Sequence, residues 1–483
     1  MRRTTPARGV RDVVDREAVR SNAKYLRRVR PIDPEEITEY VPGTPHPAVV
    51  RQVLREEALD LGVIERDDGT FVPVPDDPVS PGWDPEAFPD RYGRALEDLL
   101  VERFGPDWHR GDSGDALRET IRRFKADYLA GSAVEYDEAT ALGYAIYHLP
   151  GYYAAVGYVL DDLAERGLLG RRLSVCDVGA GVGGPALGLF DYLPDDALVD
   201  YHAVEPSAAA SVLDRLLDET GPNVHATIHR ERAEAFVPDD PGADGGDDGF
   251  DLVLLGNVLS ELDDPVAVVE RYLDLLAPDG ALVALAPADL ETATGLRDVE
   301  RAVAPPGGDV TVFAPTLRLW PGAAPTDRGW SFDVRPDLPV PGFQRRLDEA
   351  GAGDGEFVNV DVQFAYATLR TDGRRRVDVR ADAGRHAKLA EMERHVTQRI
   401  DLLAVKLSRD LADGGNPVFK VSDGSESTGT FAVLARESAL NEALRTADYG
   451  DVLAFENALV LWNDDEAAYN VVVDGETVVD WVG

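Results

Sequence analysis

One stretch of this chain brings chemistry-bearing residue types together at a tight spacing: LSVCDVGAGVGGPAL, residues 173–187. Asp177, Gly179, Gly181 and Gly183 form the pattern D-x-G-x-G-x-G after an apolar run and before a helix-compatible one. Glycines let a backbone turn sharply and come close to a ligand, and the helix N-terminus that follows offers free N–H groups. Downstream, the strand-like YHAVEPS ends at Glu205, a carboxylate suited to a ribose diol. Strand, glycine turn, helix, strand and acid are the parts of a nucleoside-cofactor site in a doubly wound sheet.

The spacing separates two kinds of cofactor. A dinucleotide loop reads G-x-G-x-x-G and points its helix end at pyrophosphate. Here the glycines are closer together, and an acid precedes them that would repel pyrophosphate but suits the cationic amino end of S-adenosylmethionine. S-adenosylmethionine is therefore the expected cofactor. Asp177 is expected beside its amino group, Glu205 on the ribose hydroxyls, and Gly179, Gly181 and Gly183 under the methionine end. Asn257, closing FDLVLLGN, falls at the carboxyl edge of the fourth strand, where ligands bind in such sheets. It is the candidate on the methyl-acceptor side. Ser260 and Glu261 follow at a helix start, where capping is an equal reading. No catalytic base is evident. The single cysteine, Cys176, precedes the loop in an apolar strand. That disfavours carbon-5 methylation of pyrimidines, which needs a cysteine nucleophile, and leaves no cysteine metal site. Gly256-Asn257-Val258-Leu259 also lacks the Asn/Asp-Pro-Pro-Tyr/Phe turn frequent in exocyclic-amine methylation.

The elements that must hold these residues follow from the hydrophobic pattern. Residues 171–370 alternate strands and helices, as a mainly parallel sheet requires. The strands are LSVCDVG, VDYHAVE, VHATIHRE, FDLVLLGNVL and GALVALAP, with a closing pair in VTVFAP and VNVDVQFAYATL. Residues 1–30 form a basic arm: ten Lys and Arg face three acids, either a solvated helix or a phosphate-contacting segment. Residues 31–75 read as helix, helix and hairpin, the order of a winged helix, with Asp33 capping and Pro34 opening the first helix. Residues 75–90 read as a linker and 91–170 as a helical region. In the latter, Tyr144, Tyr147, Tyr152, Tyr153 and Tyr158 recur at helical spacing, which is usually core and less often a stacking surface. Residues 371–394 read as a basic linker helix around Arg374, Arg375 and Arg376. Residues 395–483 show five β segments with one helix after the third, the order of an OB-fold.

Composition sets the outer bounds. The chain has 483 residues, enough for several domains, and 44% hydrophobic residues for their cores. Its 89 acids against 49 Lys plus Arg give a net charge of −40, expected of a solvated surface in a salt-loving cytoplasm. Because multimolar salt screens charge within about 3 Å, this does not exclude nucleic acid as a partner. There is no run of 18 apolar residues and no signal-peptide pattern, so a cytoplasmic, membrane-free protein is expected.

Residues 139–370 resemble the methyltransferase-like family associated with the small ribosomal subunit, known from mitochondrial ribosome assembly and with bacterial and archaeal relatives. The matching text is YAIYHLPGYYAAVGYVL, DVGAGVGGPAL, HAVEPS, FDLVLLGNVLSELDDP, LLAPDGALVALAP, LETATGLRDVERAV and DVQFAYATLR. The resemblance implies an rRNA-facing, cofactor-binding protein of small-subunit biogenesis, with Asp177, Gly179, Gly181 and Glu205 as cofactor contacts. It also departs from the family: where members commonly place the cysteines of an iron–sulfur cluster, this chain has Thr316-Leu317-Arg318 and Trp330-Ser331-Phe332. The C-terminal part looks like the OB-folds of archaeal replication protein A through FKVSDGSESTGTFAVL and GDVLAFENALVLWNDDEAAYNVVV. That implies single-stranded nucleic acid as a partner, with Phe419, Phe431, Trp462 and Tyr469 as candidate stackers.

The expectation is thus an α/β protein. A Rossmann-like class I methyltransferase domain lies between an N-terminal winged-helix-like region and a C-terminal OB-fold barrel. Its expected role is S-adenosylmethionine-dependent methylation of small-subunit rRNA or a ribosome precursor. Two alternatives stay open. One is a non-catalytic assembly factor that uses the cofactor site structurally; the other is a methyltransferase for small molecules or proteins.

Overall fold

The computed structural model describes residues 14–129, 134–238 and 249–482. The first thirteen residues of the expected basic arm lie outside them.

The N-terminal unit is α1 (Arg16–Leu26), α2 (Pro34–Tyr40), α3 (Pro47–Glu56), α4 (Ala58–Leu61) and the hairpin β1 (Val63–Glu65) and β2 (Phe71–Pro73). Asp15 caps α1, and Asp33 caps α2 with Pro34 at its first turn. The long helix read from HPAVVRQVLREEALDLGV is two pieces, broken at Glu57. Val19, Ile37, Val50, Leu54, Leu61 and Phe71 form its core. A two-stranded hairpin follows the helices, the element order expected of a winged helix. The basic residues of α1 are not a free arm: Arg16 pairs with Glu56 and Glu57, and Arg20 with Glu57 and Asp60. Nor is the wing free. The Asn223 side chain accepts from the Glu65 amide at 2.7 Å and donates to its carbonyl at 3.1 Å, docking the wing on the sheet.

Residues 75–90 are not a loose linker. Trp83 lies where a side chain on Gly157 would stand, and its Nε1 donates to the Ala154 carbonyl at 2.8 Å. Then come α5 (Asp90–Phe104), α6 (Gly111–Leu129) and α7 (Glu138–Ala164). α7 carries Pro150 in its interior, which removes one helix hydrogen bond there.

The central sheet contains β3 (Arg172–Val178), α8 (Gly184–Tyr192), β4 (Leu198–Val204), α9 (Ala209–Leu217), β5 (Val224–His229) and β6 (Phe250–Gly256). It continues with α10 (Pro265–Leu273), β7 (Leu276–Pro287), α11 (Leu290–Val303), β8 (Thr311–Ala314), β9 (Asp333–Arg335), α12 (Gly342–Glu349) and β10 (Val362–Arg370). The strand order is β5-β4-β3-β6-β7-β10-β8, with β9 also on β10. The first five strands are parallel; β10 runs antiparallel between β7 and β8. This is a Rossmann-like sheet with a reversed closing strand. Its order reverses at β3, so the crevice outside β3 and β6 is where a ligand fits.

Residues 371–388 form no helix; only a short 3-10 segment, Leu389–His395, follows them. The expected basic linker helix is instead an extended strap whose arginines are consumed by the fold. Arg376 pairs with Asp162 at 3.0 Å and Glu165 at 3.0 Å, and Arg375 donates to the Val379 and Arg318 carbonyls. Only Arg374 of the three is well exposed.

The C-terminal unit is β11 (Arg399–Lys406), β12 (Val418–Ser422), β13 (Thr430–Leu434), α13 (Glu442–Thr446), β14 (Val452–Asn463), β15 (Ala468–Val473) and β16 (Val478–Trp481). Pairing runs β11-β12-β13-β15-β14, and β14 pairs back to β11. β13 and β15 are parallel. A closed five-stranded barrel with this order, and a helix after its third strand, has the OB-fold arrangement.

Candidate functional site

The glycine loop leaves the end of β3 and turns under β4. The Gly179 amide donates to the Val204 carbonyl at 2.8 Å, and the Gly183 amide to Ala180 at 2.9 Å. Three glycines of the loop have positive φ, each for its own reason. A Cβ on Gly179 would stand 2.4 Å from Val258, and one on Gly183 2.5 Å from Leu213. These two let the loop pack against its own fold. A Cβ on Gly181 would meet nothing closer than a carbonyl at 3.8 Å. Gly181 is therefore the position where the loop faces open space.

Glu205 sits where β4 ends. Its Oε2 accepts from the Gly181 amide and its Oε1 from the Ser207 amide, both at 2.9 Å. The carboxylate thus ties the loop to β4, and each oxygen keeps a further lone pair. Asp177 lies deeper than Glu205. Only 1% of it is exposed, and its Oδ2 accepts from the Tyr201 hydroxyl at 2.8 Å. Its Oδ1 has no partner among the described residues. Burial, with the charge of Glu205 adding to it, pushes the carboxyl up to about 7. It is a buried acid beneath the loop. Cys176 is fully buried, as a small core residue should be.

The opposite wall comes from α7, which crosses α8 at a distance only glycine allows. A Cβ on Gly184 would stand 2.7 Å from Tyr152 Cβ, and one on Gly188 2.2 Å from the Tyr153 carbonyl. The tyrosines of α7 divide by face. Tyr153 is core, 4% exposed, whereas Tyr144, Tyr147 and Tyr152 stay half-buried; Tyr152 abuts Gly184 at the loop and Tyr144 meets Tyr136. The extended residues just before α7 bridge the mouth of the site. The Ala208 amide donates to the Tyr136 carbonyl at 3.3 Å on the β4 side. The Tyr136 hydroxyl donates to Glu261 Oε1 at 2.9 Å on the β6 side. Sequence reasoning left Glu261 open between the acceptor edge and a helix cap; its side chain caps no helix among the described residues. Burial and the nearby Glu205 raise its carboxyl above the usual range. Tyr136, 125 residues away in sequence, gave no signal. Asn257 is at the carboxyl edge of β6 in a left-handed turn, φ 63°.

Residues 176–282 match the family described as a methyltransferase domain. The central unit is a methyltransferase-type domain, and its cofactor is S-adenosylmethionine. The residues present fit that group: an unpaired carboxylate oxygen lies beneath the loop, a glycine opens into free space, and an acid ends β4. Residues 16–67 and 390–482 match the N-terminal and C-terminal domains described as domain of unknown function DUF8157. No curated protein matches the chain.

Among solved structures, the chain is similar to an S-adenosylmethionine-dependent methyltransferase from Clostridium acetobutylicum (13% identity, 31% of this chain and 54% of that one, TM-score 0.23). It is also similar to the plantazolicin methyltransferase BpumL in complex with SAH (14%, 58% and 99%, TM-score 0.27). A third is the mitomycin 7-O-methyltransferase MmcR (17%, 74% and 92%, TM-score 0.25). The chain spans about half the length of the Clostridium protein.

In the barrel, the four candidate stackers separate. Phe419 is core, 2% exposed. Trp462, 40% exposed, pairs across the strands with Tyr469, ring centroids 4.8 Å apart. These two flank the loop between the fourth and fifth barrel strands. Phe431 is half-buried on β13, its ring 3.5 Å from where a Gly429 side chain would stand, beside Ala468. No helix among the described residues is long and apolar enough to cross a membrane.

Proposed function

We propose that this protein is an S-adenosylmethionine-dependent methyltransferase acting on small-subunit rRNA or its precursor particle in ribosome biogenesis. The observation that carries the RNA assignment is the OB-type barrel bearing Trp462 over Tyr469 at its fourth-to-fifth-strand loop. That loop is one of those by which such barrels hold oligonucleotides. The resemblance of residues 139–370 to small-subunit methyltransferase-like proteins supports the choice of RNA.

S-adenosylmethionine supplies, when bound, a methyl group activated by its sulfonium. The chain supplies position and electrostatics. Glu205 holds the loop through Gly181 and offers its remaining lone pairs to the ribose hydroxyls. Gly181 gives backbone close approach, while Gly179 and Gly183 keep the loop seated. Asp177 offers Oδ1 as an acceptor to the amino end from beneath the loop. Tyr136 closes one side of the mouth and keeps water from the edge where Asn257 and Glu261 face the acceptor. Glu205, Glu261 and the tyrosine rings would give a cationic sulfonium surroundings favourable to positive charge.

The test is a deletion strain whose small-subunit rRNA is digested and analysed by mass spectrometry, complemented by wild type or Gly181→Arg. One methylated nucleoside should vanish, return with wild type and stay absent with Gly181→Arg. An unchanged nucleoside inventory with accumulating small-subunit precursors would replace methyl transfer by a non-catalytic assembly role.

A further inference from the structure

On α7, Tyr144, His148 and Tyr152 recur every fourth residue, a spacing that makes one stripe on a helix. The stripe is continuous. Tyr144 and His148 lie 4.6 Å apart, and His148 and Tyr152 stack at 5.2 Å and 16°. At one end Tyr152 abuts Gly184, where α8 begins behind the glycine loop. At the other, Tyr144 meets Tyr136 at 5.4 Å, and Tyr136 reaches Glu261. It therefore runs from the cofactor loop to the acceptor edge.

Two features distinguish this stripe from core packing. Its rings are half-buried, whereas Tyr153 on the same helix is sealed. Part of its polar capacity is also unspent, although the Tyr144 hydroxyl donates to the Tyr152 hydroxyl at 3.5 Å. The His148 ring makes no hydrogen bond among the described residues, and Glu261 uses only Oε1, for Tyr136. Burial, with Lys125 adding to it, pushes the imidazole down to about 3, so the ring is neutral. Lys125 itself donates to the Tyr147 hydroxyl at 2.9 Å. The acids around the stripe are Glu205, Glu261 and Asp289. An anionic group would be repelled there; a flat, uncharged ring with an N–H edge would find stacking surface and a free carboxylate oxygen.

We propose that this stripe is the methyl-acceptor subsite. It takes a nucleobase swung out of its strand, with the ring against Tyr144, His148 and Tyr152 and an N–H edge on Glu261 Oε2. This rests on the RNA methyltransferase reading above and narrows it. The phosphates of the strand stay outside: among the described residues the one cation beside the stripe, Lys125, is turned to the Tyr147 hydroxyl and the Glu356 carbonyl.

The experiment is saturation-transfer NMR on the full chain saturated with S-adenosylhomocysteine. The probes are the four ribonucleosides, their 5′-monophosphates and N-acetyl-lysine methylamide. At least one nucleoside should bind, and its monophosphate should bind more weakly. Glu261→Gln should weaken that nucleoside about tenfold, the value of a charge-assisted hydrogen bond. His148→Leu should weaken it while leaving S-adenosylhomocysteine affinity within about twofold. Retained S-adenosylhomocysteine binding certifies each variant's fold. The proposal is overturned if no nucleoside binds the loaded protein, if both variants bind it as wild type does, or if the lysine amide is preferred. Failure of the broader reading looks different, since it appears as an unchanged rRNA inventory in the deletion strain. If the inventory changes but Glu261→Gln and His148→Leu complement fully, only the subsite assignment falls.

Discussion

Replacing Asp177 by Asn should shift the stability of the cofactor-free protein in the variant's favour as pH rises. The Asp177 carboxyl is pushed from its ordinary value of 3.8 up to about 7, chiefly by burial. The folded state therefore binds the proton more tightly than the unfolded one. Stability from this group is fully present below the ordinary value and is lost as pH rises toward 7. Ionising it in place costs on the order of 4 kcal/mol by pH 8, of which about 1–2 kcal/mol is already felt at pH 5. Asparagine removes that titration. It keeps an oxygen for the Tyr201 hydroxyl but turns an amide NH₂ toward the unpaired Oδ1 position, costing about 1–3 kcal/mol at every pH. The difference in stability between the variant and wild type should then move in the variant's favour by about 2–3 kcal/mol from pH 5 to pH 8. In a unit of this size that is about 5–10 °C in unfolding midpoint. Calorimetry of both proteins without cofactor, at each pH, reads it. Taking the difference cancels the other acids of the chain. A difference independent of pH, or one moving in wild type's favour, would refute the reasoning. S-adenosylmethionine should bind the variant more weakly throughout.

Gly181→Ala meets no clash but must adopt a left-handed φ of 54°, so it should cost only about 1–2 kcal/mol of stability yet weaken S-adenosylmethionine in calorimetric titration. Gly179→Ala and Gly183→Ala should lower the midpoint, because their Cβ atoms would strike Val258 and Leu213. Arg297 and Glu300 form a buried pair at 2.5 Å within α11, and Arg297 also donates to the Tyr366 carbonyl of β10 at 2.9 Å. Arg297→Met alone should cost about 3–5 kcal/mol in denaturant unfolding, and Arg297→Met with Glu300→Met should recover most of it. Trp462→Ala should weaken single-stranded RNA by about 1–3 kcal/mol in fluorescence anisotropy without changing stability. Asp464, Asp465 and Glu466 occupy the same loop, so stacking rather than phosphate contact must carry that affinity. Its dependence on salt should accordingly be far shallower than that of a basic RNA-binding surface.

What could be read from the chain alone was local. The strand, turn and helix around Asp177 to Gly183 are contiguous, and their meaning lies in spacing. The barrel was also legible, because its strand lengths and the position of its helix follow chain order. What escaped was produced by distant segments meeting. Asp177 reads as a cofactor-facing acid in one dimension, and only the packing of Tyr201 beside it shows that it is enclosed. The arginine run at 374–376 reads as a free basic island, but Asp162 and Glu165, far upstream, neutralise Arg376. Helical periodicity told that the tyrosines of α7 share a helix. It did not tell which face the sheet would cover, and that separates Tyr153 from Tyr144 and Tyr152.

The join between the central unit and the barrel bears on how RNA would be presented. Asp423, in the turn after β12, is fully buried and accepts from Trp320 Nε1 at 2.6 Å and the Leu389 amide at 2.8 Å. A Cβ on Gly424 would strike the Leu317 carbonyl, so the barrel turn lies directly against the strap after β8. Leu319 and Thr326 add backbone hydrogen bonds to Asp423 and Glu426. Buried hydrogen bonds of this kind fix orientation, because each one broken leaves an unsatisfied group. The barrel is therefore held at one angle to the sheet. A strand stacked on Trp462 would be held at a fixed distance from the α7 stripe, so the barrel would act in register with the acceptor subsite and the choice of nucleotide would depend on both.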